Sequence, residues 1–221
     1  MTKRSMTVSG YDSGYYMKRQ SSPTLSAEIR VVTTLLDPRP GDRILEVGCG
    51  GGALLSRLVA LGVRDVVGVD WLRASVGLAR ANEPQAKVLQ GDAYALPFSD
   101  GQFNKVVAQH LLEHFEDTHR VLSEWRRVLR TEGLLVIVTP NTGFPHREWF
   151  EDPTHRHIFS RADLRHHLDS AGYSVDKTMI VNPYVGSLAV QFAAARHLQF
   201  LRRLPWFSEH GMSLIASAVR L

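Results

Sequence analysis

Apolar runs of four to eight residues alternate with amphipathic stretches along most of the chain, and each change of period marks a predicted element. "PTLSAEIRVVTTLLDP" carries Leu25, Ile29, Val32 and Leu36 at helical spacing, with Pro23 near its start and Pro38 as its stop. "RILEV" reads as a buried strand, "ALLSRLVALG" as a helix closed by Gly62, and "DVVGVD" as a second strand. "LRASVGLARAN" is helical, "AKVLQ" is a third strand and "FNKVVAQ" a fourth. "DTHRVLSEWRRVLR" predicts a helix whose start suits capping by Asp117 or Thr118. "GLLVIVTP" is apolar throughout, as a central strand covered on both faces must be. Beyond it lie a helix, "SRADLRHHLDSAG", capped by Ser160 and ended by Gly172, and a strand around "SVDKTMIV". A long helical segment, "GSLAVQFAAARHLQFLRRL", and a last strand, "SLIASAVRL", complete the pattern.

Strands alternating with helices at this spacing predict an α/β fold. The expected sheet is doubly wound, seven-stranded and mostly parallel, with an antiparallel last strand. An extra helix at about 184–204 would lie between the last two strands. Residues 23–221 show no linker and read as one domain, and a chain of 221 residues can bury a sizeable core. Residues 1–22 are polar, contain Tyr11, Tyr15 and Tyr16, and read as a flexible arm or lid.

The glycine loop in "ILEVGCGGGALLSRL", residues 44–58, is the first candidate for chemistry. A phosphate loop of the Walker type needs a Lys-Ser or Lys-Thr pair after the glycines, and none follows. The dinucleotide fingerprint G-x-G-x-x-G/A is met by Gly48, Gly50 and Ala53, with an acid, Asp70, about 20 positions on. NAD and S-adenosylmethionine both present ribose hydroxyls to such an acid, so Asp70 does not separate them. Two other acids do. Glu46, two residues before the first glycine, is badly placed for a pyrophosphate but suits a ligand carrying an ammonium and a sulfonium. Asp92, in "LQGDAYALPF", follows the third strand, where it can accept from an adenine amino group.

"ILEVGCGGG", "VVGVD", "GDAYALPF", "FNKVVAQHLLEHFED" and "VLRTEGLLVIVTPN", taken in order, resemble the class I S-adenosylmethionine-dependent methyltransferases over roughly residues 42–141. Within that class the chain is most similar to the small-molecule group whose fourth-strand motif ends in Leu-Glu-His. It departs from the group at Asn104, where an Asp is usual. The resemblance implies a cofactor site in which Gly48, Gly50 and Gly52 let the backbone approach S-adenosyl-L-methionine and Glu46 lies near its methionine end. Asp70 would hold the ribose, Trp71 would lie against the adenine face, Asp92 and the backbone of Ala93 would read the adenine edge, and Gln109 would face the methionine part. For Trp71, simple packing is the alternative.

Methyl transfer from a sulfonium needs alignment, and for an alcohol acceptor also a base. His110 and His114 flank Glu113 just past the fourth strand. The long connection at 140–160, which leaves the carboxyl end of a central strand, reads as the acceptor-pocket wall and carries His146, His155 and His157. His110, His146 and His155 are the candidate catalytic bases, with His157 equally suited to loop packing. His119, His166, His167, His197 and His210 fall on presumed surfaces. The ubiquinone-pathway O-methyltransferases resemble this region with Glu-x-x-Glu-His, a divalent-metal arrangement. Here His110 replaces the first Glu, giving His110, Glu113 and His114 as a softer candidate metal set on one face of a helical turn. The alternative is that Glu113 and His114 pin the turn.

Composition narrows the partners. The formal charge is +4, yet Lys and Arg are scattered rather than gathered, and no N-P-P-Y-type tetrapeptide follows the fourth strand, so nucleic acid is disfavoured. The single cysteine, Cys49, fits a reducing compartment. No apolar run reaches the length of a transmembrane helix, the start lacks the apolar stretch of a signal peptide, and a cytoplasmic protein is expected. Arg196, Arg202, Arg203, Phe200, Trp206 and Phe207 suit a helix that packs on the protein, forms a homodimer interface or touches a membrane surface. The polar, histidine-rich loop with Trp149, Phe150 and Phe159 favours a sugar or glycan hydroxyl as the acceptor. A phenol, quinone or lipid-linked acceptor is the first alternative. A non-catalytic domain that binds S-adenosylmethionine to regulate a partner is the alternative from another class.

Overall fold

The computed structural model describes residues 22–143, 152–181 and 212–221. The expected arm, His146 with its neighbours Trp149 and Phe150, and the expected helix at about 184–204 lie outside the described residues.

Helix α1 (Pro23–Leu36) is capped by Ser22, whose side chain accepts from the Thr24 amide at 3.2 Å, and ends at Asp37 in a left-handed conformation. Strand β1 (Arg43–Val47), helix α2 (Ala53–Ala60), strand β2 (Asp65–Asp70), helix α3 (Arg73–Asn82) and strand β3 (Lys87–Gln90) follow in alternation. Then come β4 (Phe103–Gln109), a 3-10 turn (Leu112–His114), α4 (Thr118–Val128) and β5 (Leu129–Pro140). Asp117 caps α4 by accepting from the Arg120 amide at 2.9 Å. Helix α5 (Arg161–Ser170) starts in a reciprocal capping box between Ser160 and Asp163 and is closed by Gly172 at φ +82°. Strands β6 (Tyr173–Val181) and β7 (Ser213–Arg220) complete the sheet.

The seven strands lie in the order β3-β2-β1-β4-β5-β7-β6, with β7 antiparallel to both its neighbours and the rest parallel. Successive residues of the central strands face opposite ways, which splits the core in two. Leu45, Val47, Val106, Ala108, Leu135 and Ile137 pack against α4 and α5, around Leu122, Trp125, Leu164 and Leu168. Ile44, Val107, Val136 and Val138 pack on the other face, against Val32 and Leu36 of α1, Leu54, Leu55 and Leu58 of α2, and Val76 and Ala79 of α3. Strand β5 starts four residues earlier than the apolar run "GLLVIVTP". Leu129 pairs with Phe103, the register then slips, and the regular ladder resumes at Leu134 opposite Lys105. Glu132 at φ +59° takes up the extra length. Among the described residues no helix is long and apolar enough to cross a membrane.

The Asn104 departure is structural. Its Oδ1 accepts from the Arg43 amide at 2.6 Å and its Nδ2 donates to Asp42, which also pairs with Lys105 Nζ at 2.5 Å. An Asp at 104 would lose that donor and set two carboxylates side by side. Burial alone would raise the Asp42 carboxyl, but hydrogen bonds from Lys105, the Arg39 amide and Asn104 carry it below its ordinary value of 3.8. A carboxyl depressed by folding stabilises above its unfolded pKa and loses that contribution as pH falls through the folded one. Urea titrations between pH 7 and pH 3 are therefore expected to show Asp42→Asn less stable by about 1–2 kcal/mol at neutral pH. The difference from wild type should close below pH 4.

Candidate functional site

The first strand ends at Val47, and the chain turns through residues 48–52 before α2 begins. The Gly48 and Cys49 amides both donate to Val69 O of β2, at 2.7 and 3.0 Å, which ties the loop to the neighbouring strand. Gly48 sits at φ +73°, and a Cβ there would stand 2.9 Å from Leu111. Gly52, the N-cap of α2, sits at φ +82°, with a Cβ 3.2 Å from the Ala79 backbone. The left-handed backbone favours glycine at both positions before any ligand is considered, and at Gly52 a Cβ would also press on the Ala79 backbone, whereas at Gly48 it would meet only the far end of the Leu111 side chain. Cys49 is buried, and burial, then the charges of Glu46 and Asp70, push its thiol well above its ordinary pKa.

Three acids stand at the carboxyl ends of adjacent parallel strands, where open α/β sheets bind ligands. Glu46, near the end of β1, is buried, and its Oε1 accepts from Gln109 Nε2 of β4 at 3.0 Å. Gln109 Oε1 is also buried and meets no donor among the described residues. Asp70 ends β2. Its Oδ2 accepts from the Gly50 amide and its Oδ1 from the Leu72 amide, both at 2.9 Å. Burial raises the Asp70 carboxyl, and the hydrogen bonds from Leu72, Gly50 and Ser75 pull against it without winning. Asp92, past β3, accepts from the Tyr94 amide through Oδ1 at 2.9 Å and forms a bridge with Ala95 around Ala93. Trp71 follows Asp70 and is 62% exposed, so core packing does not explain it.

These residues fit S-adenosylmethionine. A buried carboxylate and an unfilled amide oxygen suit an ammonium. Asp70 keeps acceptor capacity for ribose hydroxyls after bracing the loop, and an exposed indole stands on the same edge of the sheet.

The fourth strand leads into a different kind of centre. His110 has a left-handed backbone at φ +50°, and its amide donates to Val138 O of β5 at 2.8 Å. This bend corrects the expectation that His110, Glu113 and His114 share one helical face, because the 3-10 turn begins only at Leu112. His110 Nε2 lies 3.0 Å from Glu28 Oε1, and its Nδ1 lies 3.6 Å from Glu113 Oε1. Glu28 belongs to α1 and was not singled out by the sequence, although it occupies the apolar stripe of that helix three residues after Leu25. An acid at such a position is the signal that could have found it. Glu113 is fully buried and takes a 3.3 Å hydrogen bond from Thr139 Oγ1. Burial works against its charge, but the facing His110, with a smaller part from His114, holds its carboxyl below the usual value.

The long connection after β5 closes at its base, where Asn141 bridges to Phe159 and the Thr142 amide donates to Phe159 O at 3.1 Å. Its returning limb clasps the 3-10 turn, with the Arg156 and His157 amides donating to Glu113 O at 2.7 and 3.1 Å. That clasp sets the His155 ring 5.0 Å from the His114 ring. His114 Nδ1 meets Thr154 O at 3.2 Å. Ligand atoms of Glu113, His114 and His155 therefore lie within 4.8 Å of one another, whereas His110 turns towards Glu28. The carboxylate and two imidazoles able to hold an ion are thus not the set read from the sequence, because His155 takes the place of His110. His157 Nε2 rests against Glu116 O at 3.3 Å, and His167 Nδ1 pairs with Thr118 Oγ1 at 2.9 Å, both packing roles.

A doubly wound sheet of this strand order, with a glycine loop after β1 and acids at the ends of β1 and β2 and just past β3, defines the class I methyltransferase fold. A family model described as a methyltransferase domain matches residues 45–137. An uncharacterized methyltransferase of Synechocystis sp. is 32% identical over 148 residues, covering 62% of this chain and 68% of the relative. The mitochondrial ubiquinone biosynthesis O-methyltransferase of Saccharomyces cerevisiae is 33% identical over 116 residues, covering 50% of this chain and 37% of the relative. The crystal structure of an S-adenosylmethionine-dependent methyltransferase from Mesorhizobium loti shares the fold with a TM-score of 0.70 at 19% identity, covering 90% of this chain and all of that one. The chain belongs to the S-adenosylmethionine-dependent methyltransferase family. It spans about half the length of the first curated relatives it matches, 54% and 55%.

Proposed function

We propose that the protein transfers the methyl group of S-adenosylmethionine to a hydroxyl of a small molecule, with His110 as the base. The observation that carries this reading is an imidazole held between two buried carboxylates, one residue past the Gln109 that pairs with Glu46. The acceptor oxygen attacks the methyl carbon in line with the sulfur, and the carbon–sulfur bond breaks with its electron pair on sulfur. The hydroxyl proton passes to the His110 imidazole, and the imidazolium so formed faces Glu28 and Glu113. S-Adenosylhomocysteine and the methyl ether leave, and the proton goes to solvent.

A phenolic hydroxyl is the favoured acceptor, since the yeast relative is named for ubiquinone biosynthesis. The preference for a sugar rested on a loop whose His146, Trp149 and Phe150 lie outside the described residues. The second reading adds a divalent cation on Glu113, His114 and His155, favoured by the nearness of their ligand atoms and by the buried Glu113 Oε1, which meets no donor within hydrogen-bond distance among the described residues. The cation would polarise the acceptor oxygen.

The test is formation of S-adenosylhomocysteine with 3,4-dihydroxybenzoate or methyl glucoside as acceptor, with and without EDTA. His110→Gln is expected to lower kcat by about 100-fold, the ordinary worth of a positioned base, and to leave S-adenosylmethionine binding intact. Binding with no turnover of any acceptor would return the chain to the regulatory-domain reading. Loss of turnover in EDTA alone would favour the cation.

A further inference from the structure

Strand β3 is short and lies at the edge of the sheet, paired with β2 alone, so it supports the loop that follows from one side only. That loop, residues 91–102 between β3 and β4, opens with Asp92 and Ala93. It is tied inward at its start, where the Gly91 amide donates to Asp70 O at 3.0 Å. Asp92 O then accepts from the Ala95 amide at 3.0 Å, closing a turn around Ala93, and the chain leaves that turn at Leu96. Both main-chain groups of Leu96 are held by one ion pair on α4. The Leu96 amide donates to Glu124 Oε1 at 2.7 Å, and Leu96 O accepts from Arg127 Nη2 at 3.1 Å. Arg127 Nη1 donates to Phe98 O at 2.8 Å and to Asp100 Oδ1 at 2.7 Å. Arg127 Nε and Nη2 meet Glu124 Oε2 and Oε1 at 2.9 and 2.8 Å. A guanidinium carries five N–H donors in one plane, and each of them is used here. The Gly101 amide completes the fastening by donating to Arg127 O at 2.8 Å. Burial works against the Glu124 charge, but hydrogen bonds from Arg127 and the Leu96 amide hold its carboxyl below the usual value. A partly exposed ion pair adds little to stability by itself. This one directs most of its donors at the loop, so its main product is a fixed position for the turn at Asp92.

We propose that Glu124 and Arg127 are positioning residues for base recognition, holding Asp92 and Ala93 where they tell adenine from a purine that lacks the 6-amino group. The inference rests on the reading of Asp92 and Ala93 as the residues that meet the adenine edge. The Asp92 carboxylate accepts from the 6-amino group, and the Ala93 amide donates to the bare ring nitrogen beside it. Hypoxanthine presents a carbonyl oxygen and a ring N–H at those two places, which sets acceptor against acceptor and donor against donor. Such discrimination depends on alignment, because a hydrogen bond weakens steeply as its donor and acceptor move out of line. A loop released at Leu96 can shift to suit either base, and the two ligands then differ less.

The test measures equilibrium binding of S-adenosylhomocysteine and S-inosylhomocysteine to the intact protein, in wild type, Arg127→Lys, Glu124→Gln and Asp92→Asn. The ratio of the two affinities is the readout, because a variant that is merely less folded weakens both ligands by the same factor and leaves the ratio alone. The wild type is expected to prefer the adenine ligand about 100-fold, the ordinary worth of a hydrogen bond to a charged group. Arg127→Lys keeps a charge beside Glu124 but loses the planar fork, and Glu124→Gln keeps the volume but breaks the pair. Each should cut the preference about tenfold, through weaker S-adenosylhomocysteine binding. A wild-type preference retained in either variant overturns the proposal and leaves Glu124 and Arg127 as structural residues. Asp92→Asn, whose amide can serve either base, should abolish the preference. If it does not, or if the wild type does not prefer the adenine ligand, the adenine reading of Asp92 fails first and the positioning role falls with it.

Discussion

Asp70→Ala is expected to weaken S-adenosylmethionine and S-adenosylhomocysteine binding about 1,000-fold, measured by isothermal titration. Two losses combine. Each ribose hydroxyl donated to a buried carboxylate is worth about 1.5–3 kcal/mol. The same carboxylate braces the glycine loop through the Gly50 and Leu72 amides, so its removal also unfastens the loop expected to meet the cofactor. Asp70→Asn removes the charge and keeps one acceptor oxygen, and so one of the two amide bonds. Burial already works against the Asp70 charge, since its folded pKa is raised despite three hydrogen bonds. An acid raised by folding contributes stability below its unfolded pKa and loses it as pH climbs through the folded one, so at neutral pH the free protein carries an unfavourable charge. Asparagine removes that charge but gives up one of the two amide bonds, two opposed effects, so the free protein's Tm should change by only a few degrees while affinity falls by at least tenfold. Affinity in the wild type should also decline on acidification from a higher pH than an ordinary carboxylate would give. An Asp70→Asn variant that binds normally would remove Asp70 from the cofactor site and leave it as a loop brace only.

The parts of this site that are legible in the sequence are those set by local rules. Glu46, Asp70 and Asp92 stand out because buried parallel strands are apolar throughout, so an acid where one ends is conspicuous. Gly48 and Gly52 stand out because a tight loop between a strand and a helix needs left-handed backbone. The protein's own packing adds to this at Gly52, where a Cβ would press on the Ala79 backbone. What escapes is set by contacts between distant segments. Glu28 lies 82 residues from His110 in the chain, and nothing near it signals a partner. The helical face expected for His110, Glu113 and His114 fails because periodicity cannot foresee one residue at φ +50°. His155 reaches His114 through bonds to the main chain, the two backbone amides that the returning loop gives to Glu113 and the Thr154 carbonyl against His114, and bonds of that kind leave no mark in the sequence. The departure at Asn104 is explained only by its contacts, since the amide accepts from the Arg43 backbone and donates to Asp42.

Trp125→Ala is expected to cost about 3–5 kcal/mol, the usual range for emptying a large aromatic site in a core. Trp125 is fully buried on α4, and its ring meets Phe115 edge-to-face at 6.2 Å. Phe115 in turn meets Tyr94 at 4.9 Å, so a line of aromatic rings runs from the core to the Asp92 turn. Phe115 directly follows the 3-10 turn that carries Glu113 and His114. Removing the indole should therefore lower Tm by on the order of 10 °C in a chain of this size and weaken the site as well. Trp125→Phe gives the contrast. The indole Nε1 is buried with no hydrogen-bond acceptor among the described residues, a penalty of roughly 1–3 kcal/mol that phenylalanine relieves. Part of the lost packing is thereby offset, and thermal unfolding should place Trp125→Phe much nearer the wild type than Trp125→Ala. Equal losses in the two variants would mean that the indole N–H is satisfied in solution, for example by a buried water. A small loss in both would mean that α4 repacks, and that the 3-10 turn holds its shape through the loop's bonds to Glu113 instead of through the aromatic line beneath it.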